Sequence, residues 1–163
     1  MGLGRAIGGV AVAGLGLVGV GYAGLGGQDN TTRDDSGAIV DGGELGAFRI
    51  QIGDCLGDVG GGEIESVQGI PCDQPHQYEV YFAFNLDDGD FPGDASVADQ
   101  GEQRCYSVFT SFVGQTYEES VYGFTTLLPT EQSWDELADR EVLCLLGNYD
   151  GTPKTGSAKG TAI

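Results

Sequence analysis

The first readable pattern is a stretch without any charge. From Ala6 to Gly27 the chain carries only apolar, glycine and single aromatic positions, with Arg5 just before it and Asp29, Arg33, Asp34 and Asp35 after it. As a helix this stretch would span roughly 33 Å, about one bilayer core. Arg5 on the short side predicts a cytoplasmic N-terminus. Residues 1–27 are read as a single membrane anchor, with the membrane contacted through residues 6–27. The alternative is a signal peptide: Gly21-Tyr22-Ala23 has small residues where a signal peptidase reads, so cleavage would follow Ala23 and the product would be secreted. No cysteine stands near this boundary, which argues against a lipid-modified anchor. Both alternatives place the remaining chain outside the cytoplasm.

Residues 28–47 are polar, acidic and glycine-bearing and read as a flexible tether. Residues 48–163 form the extracytoplasmic domain. There the pattern alternates between period-two strands and one amphipathic helix. Phe48 to Ile52, Glu63 to Ile70, Gln77 to Leu86, Val121 to Leu128 and Glu141 to Tyr149 predict five strands, the third being the richest in Tyr, Val and Phe. Gly60-Gly61-Gly62 and Asp87-Asp88-Gly89-Asp90 predict turns. The helix follows Pro92-Gly93, with Ser96-Val97-Ala98-Asp99 read as its capping box. Its apolar stripe runs through Ala98, Gly101, Cys105, Val108, Phe109 and Phe112, and Gly114 marks its end. The fold class is therefore α+β: a small, mainly antiparallel sheet of about five strands with one long helix packed on it. Trp134, Leu137 and Val142 are expected to close the core.

Charge narrows the function. The 163 residues include 25 acidic and 7 basic side chains, a formal net charge of -18. Such a chain is repelled by phosphate backbones, which excludes nucleic acid as a partner. Solubility accounts for much of this acidity, and attraction of a basic partner is the functional alternative.

The four cysteines, Cys55, Cys72, Cys105 and Cys144, read as a disulfide framework in an exported domain. Of the three pairings, Cys55–Cys72 and Cys105–Cys144 are favoured. The first pair lies near the ends of two early strands. In the second, Cys105 lies on the helix stripe and Cys144 shares a strand face with Val142 and Leu146. The rival is a zinc site built on the Cys72-x3-His76 spacing. It has no paired CxxC knuckle and only one histidine to draw on, so no metal or other cofactor is expected.

At these residues the chain resembles the septum-formation-related domain of actinobacterial cell-envelope proteins. The resemblance runs in order through Ile52-Gly53-Asp54-Cys55-Leu56, Ile70-Pro71-Cys72-Asp73-Gln74-Pro75-His76, Glu79-Val80 and Phe91-Pro92-Gly93. It continues through Pro129-Thr130, Ser133-Trp134, Asp139-Arg140, Cys144 and Thr155-Gly156-Ser157-Ala158-Lys159-Gly160. It covers about residues 50 to 160. The chain departs from the pattern at Glu136-Leu137-Ala138, where a glycine is expected just before Asp139-Arg140. The resemblance implies an outward-facing envelope domain linked to septum formation, and no known reaction.

Pro71, Pro75, His76, Glu79, Trp134, Asp139 and Arg140 are the motif residues singled out, as functional or structural positions. No GxSxG, HExxH or phosphate-cradling loop occurs. Asp87-Asp88-Gly89-Asp90 lacks the spacing and closing Glu of a calcium loop. No small-molecule substrate is identified and no residue is assigned as catalytic. The expectation is a non-enzymatic, membrane-anchored module that binds an envelope or division protein. The alternative is an envelope hydrolase using His76 with a nearby carboxylate. As the only histidine, His76 is the one side chain whose ordinary titration lies near neutral pH.

Overall fold

Hydrophobic alternation along the last strand organises the molecule. The computed structural model describes the backbone of Arg5–Gly8 and the whole of residues 29–163; residues 1–4 and 9–27 of the expected anchor, and residue 28, lie outside the described residues. In β10 (Glu141–Asn148), Val142, Cys144 and Leu146 belong to one buried cluster and Leu143 and Leu145 to another. This strand is buried on both faces.

Its antiparallel neighbours are β8 (Tyr78–Asn85) and β9 (Tyr122–Leu128). Outward from β8 come β5 (Cys55–Leu56), β7 (Ser66–Ile70) and β4 (Gly43–Gly46). Outward from β9 come β1 (Arg5–Gly8) and β6 (Glu63–Ile64). The eight-stranded order is thus β4-β7-β5-β8-β10-β9-β1-β6. Only Glu65 separates β6 from β7, although the two lie toward opposite ends of that order. The sheet must therefore curl until its ends meet. Leu45, Leu56, Val80, Leu127, Leu143 and Leu145 fill the inner side of the curl.

The outer side carries α1 (Asp94–Val113). Its buried positions are Val97, Gly101, Cys105, Phe109 and Val113, a strict i, i+4 row. A Cβ on Gly101 would sit 2.9 Å from Leu128 Cδ2, so the missing side chain lets the helix lie close on β9. Ser96 is not the cap. The helix begins two residues earlier, after Gly93 at φ +93°, and no side chain caps it. Gly114, also at positive φ, ends it as expected.

The sheet is larger than five strands, and the elements differ in three places. First, the tether is ordered from Asp29 onward. β2 (Thr32–Arg33) pairs with β3 (Ile39–Asp41), and β4 pairs with β7. Leu45 and Ile39 are buried, and they are the apolar residues that a composition dominated by Asp and Gly conceals. Second, Phe48 to Ile52 is not a strand. Ala47–Arg49 forms a 3-10 turn, and the Gln51 N–H donates to Asp54 Oδ2 at 2.8 Å. Asp54 thus captures the backbone locally, in competition with sheet pairing.

Third, a second helix, α2 (Glu131–Leu137), follows β9. Its capping box joins Thr130 and Ser133, each hydroxyl accepting the other's backbone N–H. Trp134 is buried in the helix-side cluster as expected, while Leu137 is only half-buried. The helix ends on Ala138 at φ +53°, a left-handed position, which is where the family pattern asks for glycine.

Both favoured disulfides are present, Cys55–Cys72 and Cys105–Cys144. No helix among the described residues is long and apolar enough to cross a membrane.

Candidate functional site

His76 enters the fold between the Cys55–Cys72 bridge and β8. It exchanges two backbone hydrogen bonds of 2.9 Å with Lys154, far along the chain. This pairing fixes a C-terminal strap, residues 152–163, over the start of β8. The strap is held along its length. Gly156 N–H donates to the Cys72 carbonyl at 2.7 Å, and Gly160 and Ala162 donate to the Phe112 and Val113 carbonyls at the end of α1. Ala158 is fully buried in the helix-side cluster.

Glu79, on β8, is the anchor point. Its carboxylate lies 3% exposed and faces Lys154 Nζ at 2.9 Å. Ala158 N–H donates to Oε2 at 2.8 Å, and the Ser157 hydroxyl donates to Oε1. Lys154 also donates to the Gly156 carbonyl at 2.5 Å. A buried carboxylate requires such partners, because its desolvation costs several kcal/mol. Every donor here comes from the strap.

The His76 ring is 1% exposed. Its Nδ1 lies 2.8 Å from the Gln74 carbonyl, so it must carry the proton and donate. Nε2 then holds the lone pair, and it is buried with no hydrogen-bond partner among the described residues. Burial pushes the imidazole pKa below its ordinary value, and the Lys154 charge pushes the same way. The Gln74 hydrogen bond and the Glu79 charge act in the opposite sense and do not overcome them. Of the motif prolines, Pro71 is buried and Pro75 exposed. The structure thus joins His76, Glu79 and the Cys72 loop into one unit with the strap.

Trp134, Asp139 and Arg140 form a second unit around α2. Arg140 stacks on Trp134, its guanidinium carbon 3.7 Å from the ring centroid, and donates to the Trp134 carbonyl at 3.0 Å. Trp134 Nε1 donates to the Gly89 carbonyl at 2.8 Å. The Ser133 hydroxyl donates to Asp139 Oδ2 at 3.0 Å, tying the end of α2 to its beginning. An open cavity of about 240 Å³ adjoins this unit, lined by Asp87, Asp88, Asp90, Gln100 and Trp134 among others. His76 does not line it. Among the described residues no group of His, Cys, Asp and Glu could hold a metal ion.

A third buried pair lay outside the sequence reading. Arg33 Nη1 and Nη2 donate to the two oxygens of Asp54, at 2.5 and 2.8 Å. Asp54 is 3% exposed. The paired carboxylate holds the Arg33 guanidinium charged even more firmly than usual.

These buried arrangements span the stretch that carries the resemblance. A family model described as septum formation matches residues 49–162. The chain belongs to the septum formation family. It is 29% identical over 116 residues to LppN of Mycobacterium bovis, a protein named as a lipoprotein, covering 69% of this chain and 63% of that one. The Mycobacterium tuberculosis protein of the same name is 28% identical over the same shares. The chain therefore spans less than two thirds of the length of these relatives. No solved structure matches it.

Lys154, Ser157, Arg33 and Ser133 were not singled out from the sequence. For Lys154 one signal was present. In a chain with 7 basic residues, a lysine beside a family motif of small residues is a rare cation with a position to fill.

Proposed function

We propose that this chain is a non-enzymatic, membrane-anchored envelope module that acts in septum formation by binding another protein outside the cytoplasm. One observation carries the reading: the polar side chains around His76 are consumed by one another. A hydrolase using His76 needs Nε2 within reach of a substrate and a carboxylate free to orient the ring. Here the ring is buried against backbone, and Glu79 is saturated by Lys154, Ser157 and Ala158. The unit works as a clasp.

The family and the relatives named as lipoproteins support an envelope location. Those relatives bear a name that implies a lipid. In this chain the uncharged segment 6–27 would serve as the anchor. Three of the seven basic residues, Arg33, Arg140 and Lys154, are engaged in internal ion pairs. The acidic surface then favours a neutral or basic partner over an anionic lipid face.

Fluorescence microscopy of the full chain, tagged at its cytoplasmic end in dividing native cells, tests this function. Concentration at the forming septum is expected, and an even distribution around the envelope would overturn it.

A further inference from the structure

β1 is the one strand of the curled sheet that the sequence assigns to the membrane segment. It lies between two strands of the exported domain, with Ala6, Ile7 and Gly8 opposite Leu128, Leu127 and Thr126 of β9. On its other side Arg5 and Ala6 are opposite Ile64 and Glu63 of β6. Among the described residues β6 has no other neighbour in the sheet.

An anchored chain keeps Arg5 on the cytoplasmic side of the bilayer, and a chain cleaved after Ala23 discards it. Either fate withdraws β1 from the folded domain, and the inference rests on that reading of residues 1–27. Without β1, β9 and β6 face each other across about 9.5 Å, two strand spacings, with unpaired backbone on both sides. β6 is held in place by β7, one residue away in sequence. The gap is one strand wide. An open edge on each side is the condition under which sheets recruit a foreign strand.

We propose that this gap is a strand-accepting site, filled by an extended segment of a partner protein that is basic at its start and aliphatic after it, running antiparallel to both β9 and β6. Backbone hydrogen bonds on two sides would supply the affinity, and alternate side chains the selectivity. The flanking ground is apolar: Leu127 belongs to the inner cluster and Leu128 to the helix-side cluster. The sequence that occupies the gap in the structure, Arg5-Ala6-Ile7-Gly8, is basic-small-branched-small, and that pattern is the stated chemistry of the partner segment.

The test uses the full chain in lipid nanodiscs and a synthetic peptide of residues 3–10 as probe. Alkaline extraction of native membranes is done alongside. The expected result is a membrane-retained protein whose stretches 61–66 and 122–128 exchange amide hydrogen about tenfold more slowly with the peptide than without it. The same peptide carrying Ile7→Pro loses an N–H that the gap must use, and it should give no protection.

A membrane-retained protein indifferent to the peptide, or equally protected by the proline version, overturns the site and leaves the anchor standing. Protection of both stretches before any peptide is added, rising with protein concentration, assigns the gap to a second copy and also overturns the proposal. A protein released by alkali with residues 5–8 already protected overturns the anchor, and the site with it.

Discussion

Lys154 Nζ lies 2.9 Å from Glu79 Oε2 with both side chains buried, and the two residues are 75 positions apart. An ion pair so enclosed is weak evidence of net stabilisation, but breaking it from one side is costly. Glu79→Gln or Lys154→Met should each destabilise the domain by about 3–5 kcal/mol, because the partner is left as an uncompensated buried charge. Urea unfolding of the two single variants and of the Glu79→Met/Lys154→Met double variant checks this. The double variant should lose clearly less than the sum of the singles.

His76 gives the fold a pH dependence of definite sign. Its folded pKa is depressed, chiefly by burial. Above about pH 6.5 the ring is neutral in both folded and unfolded chains, so its contribution to stability is fully present. As pH falls below that value the unfolded chain binds a proton that the folded chain resists, and stability declines down to the folded pKa. Melting temperature should therefore fall between pH 6.5 and 5. His76→Gln should flatten that fall and lower the plateau at pH 7.5, since it disturbs the Gln74 contact. A parallel slope in the variant would refute the assignment.

The two disulfides should differ in lability. Cys105 and Cys144 are fully buried between helix and sheet, whereas Cys72 is half-exposed opposite the buried Cys55. A dithiol reductant, itself oxidised to the disulfide, should open Cys55–Cys72 roughly tenfold faster, because the other bridge waits for unfolding. Timed alkylation and peptide mapping would show the order. Residues 152–163 should then exchange faster, since Gly156 N–H hangs on the Cys72 carbonyl.

Residues 29–47 are expected to be part of the folding unit. A chain beginning at Phe48 loses Leu45 and Ile39 from the inner cluster and Arg33 from Asp54. Leu45→Ala alone should cost about 2–5 kcal/mol. Arg33→Ala, whose guanidinium is partly exposed, should cost about 2 kcal/mol. Circular dichroism melts decide whether the shortened chain folds at all.

Ala138→Gly should stabilise the domain by about 0.5–1 kcal/mol. Ala138 ends α2 in a left-handed conformation that disfavours a Cβ. A matching melt would show that the departure from the family pattern has no energetic consequence.

The sequence carried the outer half of this fold better than the inner half. α1, β8, β9 and β10 have long, regular hydrophobic periods, and Cys105 and Cys144 could be paired because helix stripe and strand face were both readable. β4 and β5 are four and two residues long, too short for a period, and glycines lie within or beside them, whereas β6 and β7 fall inside the expected strand Glu63 to Ile70, which Glu65 divides. α2 spans seven residues and hides behind Pro129, although Thr130 and Ser133 stood in the quoted motif. The clasp was half legible. His76 and Glu79 stood out by their setting, but nothing local pairs Glu79 with a lysine so distant. Long-range charge pairing leaves no periodic trace.

The strap also imposes an order of events in time. Lys154, Ser157 and Ala158 follow Glu79 by 75, 78 and 79 positions, so they are synthesised well after it. Until they arrive, β8 carries a carboxylate that the finished core has no other means of neutralising. A chain that has not yet reached those residues therefore cannot close this clasp. The domain locks only when the strap is in place.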